Sequence, residues 1–266
     1  MEEMAPPRLS KVARRWAILD HLRGAQGTGT ITALSHQFAV SEMTIRRDVQ
    51  MLVHQGLVSI VGGDIRLTPS TTVTEEVYHF KLASHPTVKT AIAAAAKTLI
   101  HENMTVFLDG GTTVGALAPL LMPMKRLTVI TNALNIMNVL SSNGGMRLIG
   151  IGGTLRASSL TFLGPKANAL IRELRADIAF IGTDSFSVGT GLEVPDEADA
   201  AFKEAVIRSS KMSVVLATSD KCDQMRLYQF ADWRAIDYLI TDHDLPEATA
   251  QALTEWGVTV TRVDTP

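Results

Sequence analysis

The sequence holds a single cysteine, Cys222, which rules out an intramolecular disulfide framework and a cysteine-based zinc site. Seven histidines show no HxxxH or HxH pairing, so no metal and no other cofactor is expected. No apolar run nears the roughly 20 residues of a membrane span; stretches such as TVFLD and LTVIT have strand length. The start MEEMAPP is acidic and lacks an apolar centre, which argues against a signal peptide and for an unstructured lead-in. A cytoplasmic chain in a reducing compartment, with no membrane partner, is therefore expected. A net charge of −2 excludes a broadly cationic coat for nucleic acid.

What charge there is lies unevenly. Through residue 66, eight basic residues (Arg8, Lys11, Arg14, Arg15, Arg23, Arg46, Arg47, Arg66) stand against six acidic ones, a net of +2 that leaves −4 for the rest. A chain of 266 residues, 46% hydrophobic and 20% charged, is long enough for one small and one larger domain, each with its own core. The boundaries read as residues 1–67, a Thr- and Ser-rich linker over 68–87 whose later part packs locally, and 88–266.

The first domain reads as helices. In RLSKVARRWAILDHLRG, residues 8–24, Leu9, Val12, Trp16, Leu19 and Leu22 recur at helical spacing with basic residues on other faces. A short helix begins near Thr32, with Ala33, Leu34 and Phe38 apolar, and a tight turn at Ala39 and Val40 follows. In VSEMTIRRDVQML, Ser41 stands at an N-cap, and Ile45, Val49, Leu52 and Val53 share one stripe. Arg47 points away from that stripe, with Met43, Thr44, Gln50 and Met51 beside it, while Arg46 lies on the flank, in reach of Glu42 at i,i+4. Two helices joined by a short turn make a helix-turn-helix whose second helix can enter the major groove of double-stranded DNA. GLVSIVGGDIRL adds a hairpin around Gly62 and Gly63, which completes a winged helix.

VSEMTIRRDVQMLVHQGLV resembles the DNA-binding signature of the DeoR family of bacterial transcriptional regulators. FLDGGTTVGALAPLL, LTVITNALNI, GGTLRASSLTFLGP, FIGTDSFSVGTGLEVPDEADAAFKEAVI and ATSDKCD resemble that family's effector-sensing domain, so the similarity spans about residues 8 to 262. One departure lies in the wing: SIVGGDI lacks the basic residues that the family usually places before the paired glycines. Base reading would fall to Ser41, Met43, Thr44 and Arg47, and phosphate contacts to Arg46, to Arg8, Lys11 and Arg15 of the first helix, and to Thr32. The modest positive charge implies several heads, hence a homo-oligomer, a dimer or a tetramer.

From residue 88 strands and helices alternate. VKTAIAAAAKTLI reads as a helix; strands lie near TVFLD, LTVIT, MRLIGI, DIAFIG, SVVLAT, DYLIT and VTVTRV, with helices between most of them. The class is α/β with a mostly parallel sheet, and ligands in such sheets bind beyond the carboxyl ends of the strands. There DGGTT, residues 109–113, leads into a helix VGALAPLL. Gly110 and Gly111 would let the backbone approach a ligand, and Thr112 and Thr113 add hydroxyls at a helix N-terminus suited to an anion. No lysine follows in a Walker A pattern. Lys203 and Lys221 could supply a cation, although taken singly each reads first as an ordinary exposed surface lysine, and Asp196 and Glu197 could simply cap and charge a helix start.

The family's sensing domain is similar in fold to pentose-phosphate isomerases and recognises phosphorylated sugars or related metabolites. Position by position, the resemblance implies that Asp109, Gly110, Gly111, Thr112 and Thr113 form the anion loop. It implies that Thr131, Asn132, Gly152, Gly153 and Thr154 line the pocket and that Asp184, Asp196, Glu197, Lys203 and Lys221 surround the sugar. Ser185 replaces the family's usual glycine, and TSDK its usual pair of serines before the lysine. The implied function is a regulator, most often a repressor, of a carbohydrate-metabolism operon whose operator affinity responds to a phosphorylated effector; it is not an enzyme. The other reading is a sugar-phosphate isomerase whose carboxylates shuttle protons. Cys222 beside Lys221 is either a reactive thiol or a partly buried cysteine.

Overall fold

The computed structural model describes residues 11–25, 27–54, 57–67, 81–82 and 84–264. The chain forms two compact units, Met1–Thr72 and Val73–Pro266. The expected lead-in, Arg8 and most of the expected linker lie outside the described residues. Among the described residues no helix is long and apolar enough to cross a membrane.

In the first unit α1 (Lys11–Gly24), β1 (Thr28–Gly29), α2 (Ile31–Gln37) and α3 (Glu42–His54) precede β2 (Val58–Val61) and β3 (Asp64–Leu67). The strands form an antiparallel sheet in the order β1-β3-β2. Helix α2 starts one residue earlier than expected because the Thr30 hydroxyl, 3.1 Å from the Ala33 amide, accepts one of the donors left over at the helix start. Ala39, at φ 50°, makes the sharp turn into α3. Ile45, Val49 and Leu52 are buried with Leu34 and with Ile18, Leu19 and Leu22 of α1. Each such side chain stabilises the unit by roughly 1.5–3 kcal/mol. Val53, expected on the same stripe, is 39% exposed: it follows Leu52 by about 100° of helix rotation, beyond the reach of the core. Gly62 and Gly63, at φ 63° and 91°, supply the two positive-φ positions that a two-residue hairpin turn needs.

The second unit begins with α4 (Pro86–Lys97), two residues ahead of its expected start, because a proline is tolerated in a first turn where its missing N–H has no partner to lose. There follow β4 (Thr105–Leu108), α5 (Thr112–Gly115), α6 (Ala118–Leu121), β5 (Thr128–Thr131), α7 (Leu134–Leu140) and β6 (Arg147–Gly150). The chain continues through β7 (Thr154–Arg156), β8 (Thr161–Leu163), α8 (Pro165–Glu173), β9 (Ile178–Gly182), β10 (Ser185–Ser187), β11 (Gly191–Val194) and α9 (Glu197–Arg208). It closes with β12 (Ser213–Leu216), β13 (Tyr228–Ala231), β14 (Tyr238–Asp242), α10 (Glu247–Glu255) and β15 (Thr259–Val263).

The seven strands expected from the sequence form one parallel sheet in the order β15-β14-β12-β9-β4-β5-β6. Both its faces are covered. Phe107 belongs to one core, with Ile181, Phe202 and Trp233, while its neighbours Val106 and Leu108 belong to the other, with Ile92, Val129 and Val214. Two features were not expected: the antiparallel hairpin of β7 and β8, and a small antiparallel sheet in the order β10-β11-β13. The expected helix VGALAPLL is instead the two single turns α5 and α6. Pro119 explains the break, since it cannot donate to the carbonyl four residues back, at Gly115, and its ring crowds that carbonyl.

Candidate functional site

From β4 the chain builds outward through β5 to β6, then returns to lay β9 on the other side of β4. The loops after β4 and β9 therefore diverge and leave a crevice at the carboxyl ends of the strands, a topological switch point. Asp109 follows β4, Gly182 ends β9, and the two are joined: the Gly182 amide donates to Asp109 Oδ2 at 3.0 Å. A cleft of about 500 Å³, its open mouth included, lies here.

Eight of the sequence-predicted residues line it: Asp109, Gly110, Gly111, Thr112, Thr113, Asp184, Lys203 and Lys221. Lys203 rises from α9, is 4% exposed, and donates to Asp109 Oδ2. Asp199, one helical turn earlier, stands 3.8 Å from the same ammonium, which also lies 5.7 Å from the centre of the Phe230 ring. Lys221 donates to the Thr183 carbonyl at 2.6 Å. Inside the cleft Asp109 Oδ1 and Thr113 Oγ1 are buried with no hydrogen-bond partner. Lining a cleft, these two atoms are open to hydrogen bonds from water or a small ligand.

The charges are balanced, with three lysines and three aspartates around one space. Burial alone would raise Asp184, but Lys81 and Lys221, and then Lys203, outweigh it and hold the carboxyl well below its ordinary range. Burial also raises Asp199, against the pull of Lys203 and with the repulsion of Asp109 and Asp184, to about 7. Burial would lower Lys203, yet Asp109 and Asp199 raise it above its ordinary value, so it stays charged. The cleft thus offers fixed cations, a carboxylate oxygen in want of a donor, and hydroxyls. That suits a small polyhydroxylated anion.

Other predicted residues lie elsewhere. Thr131 and Asn132 are fully buried and support the site from outside: Thr131 Oγ1 accepts the Ala133 amide at 3.1 Å, and Asn132 holds β8 through its carbonyl, 2.8 Å from the Phe162 amide, and through its side chain, 3.2 Å from the Phe162 carbonyl. Gly152, Gly153 and Thr154 are exposed where the hairpin begins; a Cβ on Gly153 would come 2.6 Å from the Leu163 carbonyl. Asp196 caps α9, accepting the Asp199 amide at 2.9 Å, and lies 3.5 Å from Arg156. Glu197 is exposed in the first turn. The two departures from the family pattern also face away: the Ser185 hydroxyl donates to the Gln224 carbonyl, and Ser219 binds Asp242 at 2.8 Å and 2.5 Å.

Lys81, Ser159, Thr161, Thr183 and Asp199 line the cleft without having been singled out in the sequence. Ser159 and Thr161 arrive on the hairpin, with their hydroxyls 2.7 Å apart. Gly110 makes room for the hairpin: a Cβ there would lie 2.1 Å from Thr161 Cγ2. Helix α5 is a single turn and adds little dipole at the glycine loop, so the positive charge beside it comes from the lysines. Only the spacing of Asp199 and Lys203, one turn apart on one helix face, was a readable signal. Among the described residues no group of three His, Cys, Asp or Glu could hold a metal. Burial and then Asp223 push the Cys222 thiol up to about 11, which leaves it protonated and unreactive near neutrality.

In the first unit the outward face of α3 carries Met43, 60% exposed, with Arg47, Gln50 and Met51 also exposed. Ser41 caps the helix, its hydroxyl 3.3 Å from the Thr44 amide and 3.0 Å from the Thr44 hydroxyl. Glu42 lies 3.6 Å from Arg46 and accepts the Thr32 hydroxyl at 2.6 Å, so Thr32 ties α2 to α3. Arg15, expected on a phosphate, donates its Nε to Asp48 at 2.8 Å, and Arg14 does so at 2.7 Å. Asp48, 2% exposed, therefore fastens α3 to α1 from behind. Arg8 lies outside the described residues, and of Lys11 only the backbone is described. In the wing Ile60 and Val61 are about half exposed and Arg66 is exposed on the opposite strand.

A model of the DeoR-like helix-turn-helix domain matches residues 14–68, and one of the DeoR C-terminal sensor domain matches residues 84–243. An uncharacterized HTH-type transcriptional regulator, YgbI of Escherichia coli K12, is 35% identical over 91% of this chain and 94% of its own length. The glycerol-3-phosphate regulon repressor of the same organism is 29% identical over 86% of this chain and 90% of its own. Among solved structures, ribose 5-phosphate isomerase A of Methanocaldococcus jannaschii aligns with 52% of this chain and 55% of its own at 19% identity and a TM-score of 0.39.

Proposed function

The chain belongs to the DeoR family of transcriptional regulators, and we propose that it represses a carbohydrate-metabolism operon and releases its operator when a phosphorylated sugar or related metabolite fills the cleft between β4 and β9. The observation that carries this reading is the meeting of Lys203, Lys221 and Lys81 with the unpartnered Asp109 Oδ1 and Thr113 Oγ1 at one switch point. The lysines would take the phosphate, while Asp109 and the hydroxyls of Thr113, Ser159 and Thr161 would take the sugar. On the DNA side, Ser41, Met43, Thr44 and Arg47 would read bases and Arg46 a phosphate, with Arg15 and Thr32 acting mainly as struts. Two or more heads in a homo-oligomer would supply the affinity that a net charge of +2 per head does not.

A thermal-shift screen against phosphorylated sugars, acids and lactones tests the cleft. A true effector stabilises the protein by about 2.7 kcal/mol at a hundredfold excess over Kd and weakens operator binding roughly 5- to 150-fold. A stabilising compound that leaves operator affinity unchanged would remove the effector role. In the same operator assay Arg47→Ala is expected to lose sequence preference; retained preference takes Arg47 off the reading face.

One observation favours the isomerase reading, namely Asp199, whose carboxyl at about 7 is where a general base works well. We favour sensing over turnover because the relatives matching nearly this whole chain are regulators. Incubation with aldose and ketose phosphates decides between them, and any substantial interconversion would make the protein an enzyme.

A further inference from the structure

Of the described residues that line the cleft, Lys81 alone precedes α4. It comes from the stretch of chain that follows the first unit, which ends at Thr72, and precedes α4. It also lies ahead of the region matched by the sensor-domain model, which starts at residue 84. Its ammonium donates to Asp184 Oδ1 and its side chain lines the cleft with Lys203 and Lys221.

The backbone at Lys81 is fixed from two sides. Lys89, a lysine of α4 only 5% exposed, points its ammonium back at this turn and donates to the Lys81 carbonyl, to the Ser84 carbonyl at 2.7 Å and to the Ser84 hydroxyl at 3.1 Å. Thr112, in the glycine loop itself, donates to the same Lys81 carbonyl at 3.4 Å. A buried lysine aimed at backbone oxygens is a costly way to hold a surface turn. It makes sense where the next side chain must be delivered to a definite place, and here that place is the cleft. Asp184, held ionised, then keeps the Lys81 ammonium in the wall of the cleft.

Building on the reading of the cleft as an anion-binding effector site, we propose that Lys81 is an effector ligand, for whose ammonium the incoming phosphate competes with Asp184. Occupancy of the cleft is thereby registered on the chain segment that joins the sensor to the DNA-binding unit. A phosphate drawn to Lys203 and Lys221 alone would leave that segment untouched. One drawn to Lys81 changes the partner of a residue whose carbonyl is clamped by Lys89 and Thr112, so effector binding and connector position become one event.

The test uses the full chain and inorganic phosphate as probe, titrated against sodium chloride of matched ionic strength. Melting temperature and amide exchange of the 81–89 segment are the readouts. Wild type is expected to show a saturable rise and slower exchange. Lys81→Met is expected to bind phosphate about tenfold or more weaker and to lose the exchange effect, and Lys81→Arg to retain both. Because Lys81→Met leaves Asp184 short of a partner, the charge-neutral pair Lys81→Met with Asp184→Asn serves as a second variant; it restores the baseline melting temperature but not the phosphate response. A merely structural role for Lys81 predicts the reverse, a lower baseline with an undiminished phosphate increment, and that result overturns the assignment while leaving the cleft an anion site. No saturable rise in wild type overturns both.

Discussion

Asp48 shows how much one side chain decides in the first unit. It accepts from Arg14 and Arg15 at 2.7 Å and 2.8 Å while almost fully buried, so its loss removes a shared ion-pair partner from two guanidinium groups. Asp48→Ala is expected to destabilise the first unit by about 3–5 kcal/mol, whereas removing the exposed Glu42–Arg46 pair should cost less than about 1 kcal/mol, both read from urea denaturation. In the sensor the informative carboxyl is Asp199. Its folded value of about 7 stands above the ordinary 3.8, so the folded protein holds a proton there that the unfolded chain gives up. The associated stability is complete below about pH 4 and disappears as pH rises through about 7. Melting curves of wild type should fall across that interval relative to Asp199→Asn, which lacks the group; parallel curves would place the Asp199 carboxyl back in its usual range.

At the level of elements, the meeting of the glycine loop and the β7–β8 hairpin is the decisive joint. Gly110→Ala places a methyl 2.1 Å from Thr161 Cγ2, and a rigid loop cannot yield that much. It should cost about 1–3 kcal/mol and abolish ligand-induced stabilisation; adding Thr161→Ser removes the offending carbon and should recover most of the loss. A double variant no better than the single one would show that the two elements do not meet in this way. The five inner strands of the parallel sheet were readable because each is an apolar run buried on both faces, the part-exposed edge strands β6 and β15 because they continue the strand–helix alternation, and α3 because Ile45, Val49 and Leu52 keep the helical period. The hairpin was not: Thr154–Arg156 and Thr161–Leu163 are three-residue strands whose pairing depends on Asn132 and Gly153, contacts between distant positions that no local period reveals. For the same reason nothing local showed that Thr131 and Asn132 lie buried beside the hairpin and Gly152 to Thr154 exposed at its start, behind the residues that line the cleft. Asp109, Lys203 and Lys221 were legible because polar residues just past buried strands, or one turn into a helix, have few other places to go.

For the whole molecule, the cations of the described DNA-binding unit are fewer than its composition suggests. Arg14 and Arg15 each give a donor to Asp48, Arg46 lies beside Glu42, and the wing shows Ile60 and Val61 where a cationic tip would contact phosphate. With about three phosphate contacts per head and two heads, operator affinity should fall with salt at a log–log slope of about −5, measurable by fluorescence anisotropy. A slope twice as steep would mean that the wing or the first helix contributes cations after all. The hairpin has a different kind of consequence. It is inserted between β6 and α8 and reaches the cleft through Ser159 and Thr161, while Leu163 at its end packs into the core beside Phe107 and Ile130. Mutation of Ser159, which lines the cleft without belonging to the core, can therefore redraw the inner contour of the cleft while the lysines, the strand ends and the DNA-reading unit remain as they are. A lineage could then alter what the regulator answers to through that one position, at little risk to folding.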